Sequence, residues 1–345
     1  MKSQKEMKNI YRWFRIAPFF YSFPLGLSLL LYIPCPSLAQ DEILRWIGGD
    51  LGKARPSLNY QFLGYSPEEV AAQGKDFKLN EHRLFTLVPF LQSPERDASA
   101  YLNIRAQDVG TAAVLPDTRE SFPDELWDIR LGGQYRQRFE NGWIGGVALG
   151  FGSASDKPFA SWDEIFLDIN LFARIPDGGR NAWLLFLNYS KTREFLPNVP
   201  LPGVGYWYEP NDQARLVVGI PFAFLNLRPI KEVSFSFSYF FVRSVRARVT
   251  YSPLGFLRLY GNFEWRNESY YRAERQDNKD RLFYYEKQIS AGIQASLNRY
   301  VSLDLSGGYA FDRFYFEGRD YEDRDQNRVS IGNGPFVALR AGVRF

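Results

Sequence analysis

The side chains that could perform catalysis are few in this sequence. A hydrolytic serine–histidine pair needs an oriented imidazole, and the chain has one histidine, His82, in the stretch LNEHRLF. Either register of an alternating strand fits that stretch, so the pattern leaves the direction of His82 open. A single histidine in a strand is more often structural than catalytic, and we expect no enzymatic activity.

Two acidic residues form a second candidate for acid–base chemistry. Asp128 and Glu164 could face each other across neighbouring strands. Arg130, Arg136 and Arg174 lie in the same segments. Carboxylates among arginines favour a salt-bridged wall over an acid–base pair.

Metal and cofactor chemistry has little support in the sequence. In DYEDRDQN, the residues Asp323, Asp325 and Asn327 alternate, but the glycine and the later glutamate of a helical calcium loop are absent. We expect a solvated acidic loop there, with weak divalent-ion binding as the alternative. The glycine-rich stretches GGVALGFGS and SGGY are not followed by a helical pattern, so they do not indicate phosphate loops. We predict no cofactor and no metal site.

The sequence predicts that the elements carrying these side chains are β-strands. In VRARVTY, the apolar Val245, Ala247 and Val249 alternate with Arg246 and Arg248. The stretches VSFSFSYFF, ISAGIQASL, VSLDLSGGYAF and EIFLDINLFAR show the same period of two. A soluble sandwich also alternates, but repeated strands with one uniformly apolar face and one charged face suit a sheet between lipid and water.

Aromatic residues at the strand ends support that interpretation. The two sets are Trp127, Trp162 and Trp265 at one end, and Trp143, Trp183 and Tyr251 at the other. Two such girdles mark the two membrane interfaces. Because backbone groups in hydrocarbon must all be paired, the sheet must close without edges. The predicted fold is an all-β, transmembrane, antiparallel up-and-down β-barrel of about fourteen strands, with a range of about 10–16.

The strand boundaries follow from the alternation and from turn residues. We predict strands near 58–65, 79–91, 98–109, 125–139, 143–152, 162–175, 181–192, 213–228, 233–242, 244–252, 256–266, 282–296, 301–311 and 335–345. The count is uncertain at Pro221, which interrupts one strand, and at the tight turn near Val242 and Arg243. Short turns alternate with long polar loops at 110–124, 193–212, 267–281 and 312–334, which is the asymmetry expected of such barrels.

The first 39 residues have the features of a secretory signal. Five basic residues and one acid precede an uncharged stretch, which ends in CPSLAQ with Ser37 and Ala39 at small-residue positions. Cys35, the one cysteine, lies inside this segment, and removal of residues 1–39 would change the net charge from +3 to −1. A nearly neutral mature chain gives no reason to expect nucleic acid. Residues 40–56 are then a periplasmic N-terminal lead, which could be a tether, a short amphipathic helix or part of a plug. Residues 57–345 form the barrel.

The final stretch, FVALRAGVRF, places apolar residues at every second position up to an aromatic end. It resembles the assembly signal of bacterial outer-membrane β-barrels. The matching positions are Val337, Leu339, Ala341, Val343 and Phe345. The resemblance implies export through the periplasm to the outer membrane, insertion by the barrel-assembly machinery, and contact with outer-membrane lipid and lipopolysaccharide. PLPGVGYWYEP and VRARVTYSP also look like an uncharacterised family of outer-membrane barrels without an assigned function.

Charged residues on the polar strand faces are predicted to line the lumen, because charge facing hydrocarbon is costly. The candidates are Arg130, Arg136, Arg138, Arg174, Arg246, Arg248, Arg258, Arg340, Asp128, Glu164, Asp168, Glu264 and Asp304. We predict a porin-like channel for passive passage of small polar or anionic solutes. The alternatives are a plugged barrel that transports hydrophobic compounds and a non-conducting structural or adhesion barrel. The sequence specifies neither the solute nor the oligomeric state.

Overall fold

The computed structural model describes residues 48, 50–191, 193, 196–240 and 244–345, so the predicted signal segment lies outside the described residues. The strands are β1 (Ser57–Tyr65), β2 (Glu68–Val70), β3 (Lys75–Gln92), β4 (Arg96–Thr111), β5 (Glu125–Arg138), β6 (Ile144–Ser155), β7 (Ile165–Pro176), β8 (Ala182–Ser190), β9 (Leu201–Asn211), β10 (Ala214–Ile220), β11 (Phe222–Ile230), β12 (Val233–Phe240), β13 (Ser244–Leu254), β14 (Leu257–Tyr270), β15 (Arg281–Ser296), β16 (Val301–Gly318), β17 (Val329–Ile331) and β18 (Gly334–Arg344). A short 3₁₀ helix covers Tyr321–Asp323. Among these residues, no helix is long and apolar enough to cross a membrane.

Sixteen of the described strands close into an antiparallel barrel. β1 pairs with both β18 and β3, which joins the two ends of the sheet. β2 and β17 are the exceptions: they pair with each other and extend β3 and β16 at one end. Closure gives each of the sixteen strands two partners, so the ring has no unpaired edge. The predicted closed all-β barrel is confirmed.

The estimate of fourteen strands was too low, and the observed sixteen lie at the top of the predicted range. The predicted strand 213–228 is two strands, β10 and β11, with Pro221 in the turn between them. Proline cannot donate to the ladder, so it ends a strand here. The second missed strand, β9, lies inside the predicted loop 193–212. Its stretch LPGVGYWYEPN contains prolines and glycines, which are typical of loops.

The two ends of the barrel differ in the length of their connections. At the short-turn end, hairpins such as β3–β4 and β9–β10 turn within a few residues. At the long-loop end, the connections include 112–124, 156–164, 271–280 and 319–333. The wall is also uneven in height, because β3 and β16 each have 18 residues whereas β10 has 7.

The outer surface of the barrel is apolar. Leu131, Ile289, Leu305 and Val337 point outward and are each more than half exposed. Trp143, Trp183 and Tyr251 are exposed near the short turns, and Trp162 is exposed near the long loops. An apolar band between two aromatic levels is the surface that a bilayer requires. This confirms the architecture of an outer-membrane β-barrel.

Candidate functional site: the barrel interior

One part of the interior is filled by a hydrophobic core at the long-loop end. This part, called here the packed lobe, is enclosed by β14, β15, β16, β18, β1, β3, β4 and β5, with β2 and β17 above. Its core residues are Leu63, Tyr65, Val70, Phe77, Leu79, Val109, Ala113, Leu115, Phe122, Leu126, Tyr270, Leu282, Tyr284, Ala310, Tyr315, Val329, Ile331, Phe336 and Ala338. Tyr284 stacks on Tyr315 with ring centroids 4.5 Å apart. Close packing of this kind leaves no water-filled path through the core.

Backbone bonds close the packed lobe across the barrel. The amide of Tyr271, just after β14, donates to the carbonyl of Ala154 on β6 at 2.7 Å. The amide of Asp156 in turn donates to the carbonyl of Tyr271 at 3.1 Å. β14 and β6 are not neighbours in the main ring. Their tips are therefore joined at the long-loop end, beside the packed lobe.

A buried charged network lies in the packed lobe beside the hydrophobic core. Arg266 on β14 contacts Glu81 on β3 at 2.9 Å and Glu286 on β15 at 2.8 Å. Arg105 on β4 contacts Glu268 on β14 at 2.8 Å. All five side chains are at most 10% exposed. Arg266 and Glu286 lie on neighbouring strands, whereas the Arg266–Glu81 and Arg105–Glu268 pairs join opposite walls of the packed lobe.

The remaining interior, called here the open lobe, is lined by β5–β14 and is polar. Arg246 contacts Glu264 at 2.7 Å, and Arg130 contacts Asp168 at 3.1 Å. These four side chains are 14–16% exposed, compared with 0% for Glu81. The inward faces of β11 and β12 carry further polar residues: Asn226, Arg228, Ser234, Ser236 and Ser238. The charged side chains of these open-lobe pairs are therefore more exposed than those of the buried network in the packed lobe.

The open lobe also has an aromatic stripe that the sequence interpretation missed. Its buried residues are Ala148, Phe172, Ala182, Leu184, Trp207, Val217, Phe222 and Phe224. The ring of Trp207 lies between two guanidinium groups, with Arg174 at 4.6 Å and Arg215 at 4.7 Å from the centroid. Phe172 and Leu184 could have indicated this stripe in the sequence, because both occupy inward positions at which a polar residue was expected.

The described part of the N-terminal lead, residues 48 and 50–56, lies in the short-turn mouth. The Gly52 amide donates to Oδ2 of Asp97 at 3.1 Å, and Asp97 also accepts two bonds from Arg136, at 2.9 and 2.6 Å. The Gln92 side chain donates to the Ala54 carbonyl at 2.8 Å. Leu51 is buried. The lead is thus bound to inward-facing residues of the barrel.

The charged residues of the lead lie near arginines at the short-turn mouth. Nζ of Lys53 donates to Asp50 at 2.7 Å. This bond lowers the pKa of the Asp50 carboxyl, and the positive charges of Arg174 and Arg138 lower it further. Asp50 therefore keeps its negative charge at the mouth into mildly acidic conditions.

Most predicted lumen residues lie on inward strand faces. Arg248 covers the ring of Tyr260 at 3.6 Å and lies 3.9 Å from Asp304. Arg258 donates to Gln294 at 3.2 Å, and Arg340 donates to Gln61 at 3.0 Å. Arg136 is buried against Asp97, Arg138 is exposed at the end of β5, and Arg174 covers Trp207. Asp128 is paired in register with Arg105 of the packed lobe. Their role in solute passage remains a prediction.

Glu164 is the exception among the candidates. It precedes β7 instead of lying within a strand, and it is buried against Arg275 of the loop 271–280 at 3.4 Å. β6 lies between β5 and β7, so Asp128 and Glu164 do not face each other across adjacent strands. The expectation of a facing pair was wrong, because β6 separates the two strands and Glu164 lies in the turn before β7.

His82 lies on the outer surface of β3. Its register partner on β1 is the outward-facing Phe62. Nδ1 of His82 is 2.8 Å from the hydroxyl of Tyr60, and Nε2 is 3.4 Å from Asp108. The question that the sequence left open is thereby resolved, since His82 points away from the lumen.

The acidic loop after β16 is held by a hydrogen bond of its own and by bonds to the loop 112–124. The Asn327 side chain accepts from the amides of Asp117 and Thr118 at 2.9 and 3.1 Å, and Asp323 accepts from the amide of Arg319 at 2.8 Å. Within the described part of the chain, no group of three or more acidic, histidine or cysteine side chains could hold a metal ion.

The predicted assembly-signal residues occupy β18 and its end. Val337 and Leu339 point outward and are about half exposed, and Phe345 is more exposed than either. β18 joins β16 to β1 at the closure of the ring. Recognition of these residues by the assembly machinery remains a prediction.

No protein-family model matches the chain, and no curated protein matches it. Among solved structures, an outer-membrane channel from Pseudomonas putida F1 is similar at 12% identity and a TM-score of 0.37, over 86% of this chain and 98% of that one. OccK7 from Pseudomonas aeruginosa is similar at 8% identity and 0.36, over 84% and 98%. The translocator domain of the autotransporter NalP from Neisseria meningitidis is similar at 9% and 0.34, over 89% and 95%. At these values the similarity carries no functional argument.

Proposed function

We propose that this protein is a bacterial outer-membrane channel for passive passage of small polar solutes through the open lobe. The observation that carries the proposal is the difference in exposure between the two lobes. Arg246 and Glu264 of the open lobe are 16% and 15% exposed, whereas Glu81 and Glu286 of the packed lobe are fully buried. A water-lined path beside a filled core makes a narrow channel that lies off the barrel axis.

Placement in the outer membrane is supported by the outer surface and by the first 39 residues. The apolar band with its two aromatic levels needs a bilayer, and the signal-like segment 1–39 supports export. The short-turn end would then face the periplasm and the long-loop end the exterior, which is the usual asymmetry.

The wall chemistry favours small anions with some apolar character. Arginine predominates over carboxylate on the open-lobe faces, and each carboxylate there offsets part of the positive field. The aromatic stripe from Trp207 to Phe222 supplies an apolar surface along the same lobe. The stripe favours a second candidate, passage of hydrophobic or aromatic compounds, over a purely structural barrel.

The direct test is conductance of the purified mature protein in planar bilayers under a salt gradient. We expect small single-channel steps and a reversal potential on the anion side. A salt of a small aromatic carboxylate, compared with chloride at equal ionic strength, tests the second candidate. Absence of any conductance from folded, heat-modifiable protein, and from a variant that lacks the lead, would contradict the channel function.

A further inference from the structure

We propose that the N-terminal lead is an autoinhibitory gate, which closes the short-turn mouth of the open lobe when docked and opens it when released. The proposal rests on the channel function given above. It concerns the described residues of the lead, 48 and 50–56, and their contacts with inward side chains of the barrel.

The contacts of the lead reach across the mouth. At one side, Gly48 packs on the indole of Trp207 on β9 so closely that a Cβ there would stand 3.0 Å from the ring. At the other side, the Gly52 amide is bound to Asp97 on β4. β5, β6, β7 and β8 separate these two anchors around the wall. The described residues of the lead therefore contact the wall on both sides of these four strands.

The barrel provides a prepared site for the lead. Asp97 is nearly fully buried and accepts one bond from Arg136 at each carboxylate oxygen. Its Oδ2 also accepts from the Gly52 amide. Gly52 has a φ of +71°, and a Cβ at this position would lie 2.5 Å from the carbonyl oxygen of Ser93. Docking thus needs glycine at position 52 for two reasons, its backbone conformation and its close approach to the β3–β4 turn.

Release of the lead does not require the barrel to open. Residues 48 and 50–55 of the lead pair with no strand of the ring, whereas the carbonyl of Pro56 accepts a bond from the amide of Phe345 at 3.0 Å. Displacement of the lead up to residue 55 therefore breaks no ladder bond. It is held by side-chain bonds to Asp97 and Gln92 and by burial of Leu51. Such local contacts open at far lower free energy than the barrel unfolds. The docked lead can therefore exchange with a released state while the wall stays intact.

The first test compares Gly52→Ala with Gly178→Ala in the mature chain. Gly178 has a φ of +72° in the β7–β8 turn at the same end, but no atom lies within 4 Å of its Cβ position. Both substitutions carry the same backbone cost. We expect Gly52→Ala to raise the ratio of released to docked lead about tenfold and to increase open probability, while Gly178→Ala conducts like the parent. Deletion of residues 40–54 should hold the channel open.

The second test measures docking directly. Leu51→Cys, with Cys35 changed to serine, gives a single thiol that is buried when the lead is docked. We expect slow labelling by a membrane-impermeant maleimide in the parent background, and about tenfold faster labelling when Gly52→Ala is added. If the thiol is labelled slowly although the channel already conducts as much as the deletion variant, the lead is docked without closing the channel. That result would contradict the gate and would leave the channel function unaffected. If all folded variants are silent, including the deletion, the channel function fails and the gate with it.

Discussion

Arg266 on β14 and Glu81 on β3 form a buried ion pair between opposite walls of the barrel. Nη2 of Arg266 lies 2.9 Å from Oε2 of Glu81, although β15, β16, β18 and β1 stand between their strands around the ring. The pair links the two walls inside the packed lobe, together with the Arg105–Glu268 pair.

Neutralising Glu81 should destabilise the barrel strongly. Glu81→Gln leaves Arg266, Arg83 and Arg105 without a carboxylate that they contact in the packed lobe. Loss of one partner from a buried ion pair costs about 3–5 kcal/mol. The midpoint of denaturant unfolding in detergent micelles should fall accordingly.

Glu274→Gln is the matched control for that measurement. Glu274 pairs with Lys157 at 3.2 Å, but both side chains are exposed, and such a pair is worth about 0–1 kcal/mol. Equal midpoints for the two variants would mean that the buried network contributes nothing to stability.

Reversing two lumen charges should change ion selectivity and leave assembly intact. Arg246 and Arg248 face the open lobe, with Glu264 and Asp304 nearby. We expect Arg246→Glu with Arg248→Glu to shift the reversal potential toward cations. In contrast, Val249→Lys places charge on the lipid-facing side of β13 and should reduce insertion, because a lipid-facing lysine costs up to about 2–4 kcal/mol. If the double variant fails to assemble and Val249→Lys inserts normally, the inward and outward faces of β13 are assigned the wrong way round.

An added methyl group on β6 should test the packing of the wall. A Cβ on Gly152 would meet the carbonyl oxygen of Ile129 and, at 2.7 Å, the ring of Phe166. We expect Gly152→Ala to cost about 1–3 kcal/mol by overpacking. Gly261 faces outward on β14 with no atom within 4 Å of its Cβ position, so Gly261→Ala should stay within about 0.5 kcal/mol of the parent. Unfolding monitored by tryptophan fluorescence distinguishes the two.

The alternation of residues was sufficient to predict the barrel and the facing of its strands. It works for Arg246 and Arg248 because a period of two places neighbours on opposite faces wherever the register is uninterrupted. It failed for β9, where proline and glycine hid the period, and it gave no direction for His82, where polar and apolar residues mix in both registers.

The division of the interior into two lobes could not be predicted in the same way. Arg266 and Glu81 are far apart in the sequence and on strands that do not pair, so no local pattern connects them. The same holds for Gly48 on Trp207 and for the backbone bonds between Tyr271 and Ala154. A strand pattern specifies which side chains point inward. The contacts across the interior depend on the distance between opposite strands of the closed barrel, which the pattern does not contain.

The short wall at β10 has a consequence for the surrounding membrane. Seven residues at about 3.3 Å each, tilted by about 40°, reach roughly 18 Å, which is less than the apolar band of about 25 Å that such barrels usually present. The opposite wall at β3 and β16 is more than twice as long. Acyl chains beside β10 must therefore shorten or tilt, so the protein imposes a one-sided hydrophobic mismatch on its bilayer. We expect the protein to accumulate in thinner bilayers and to turn its short wall at β10 toward locally thinned lipid.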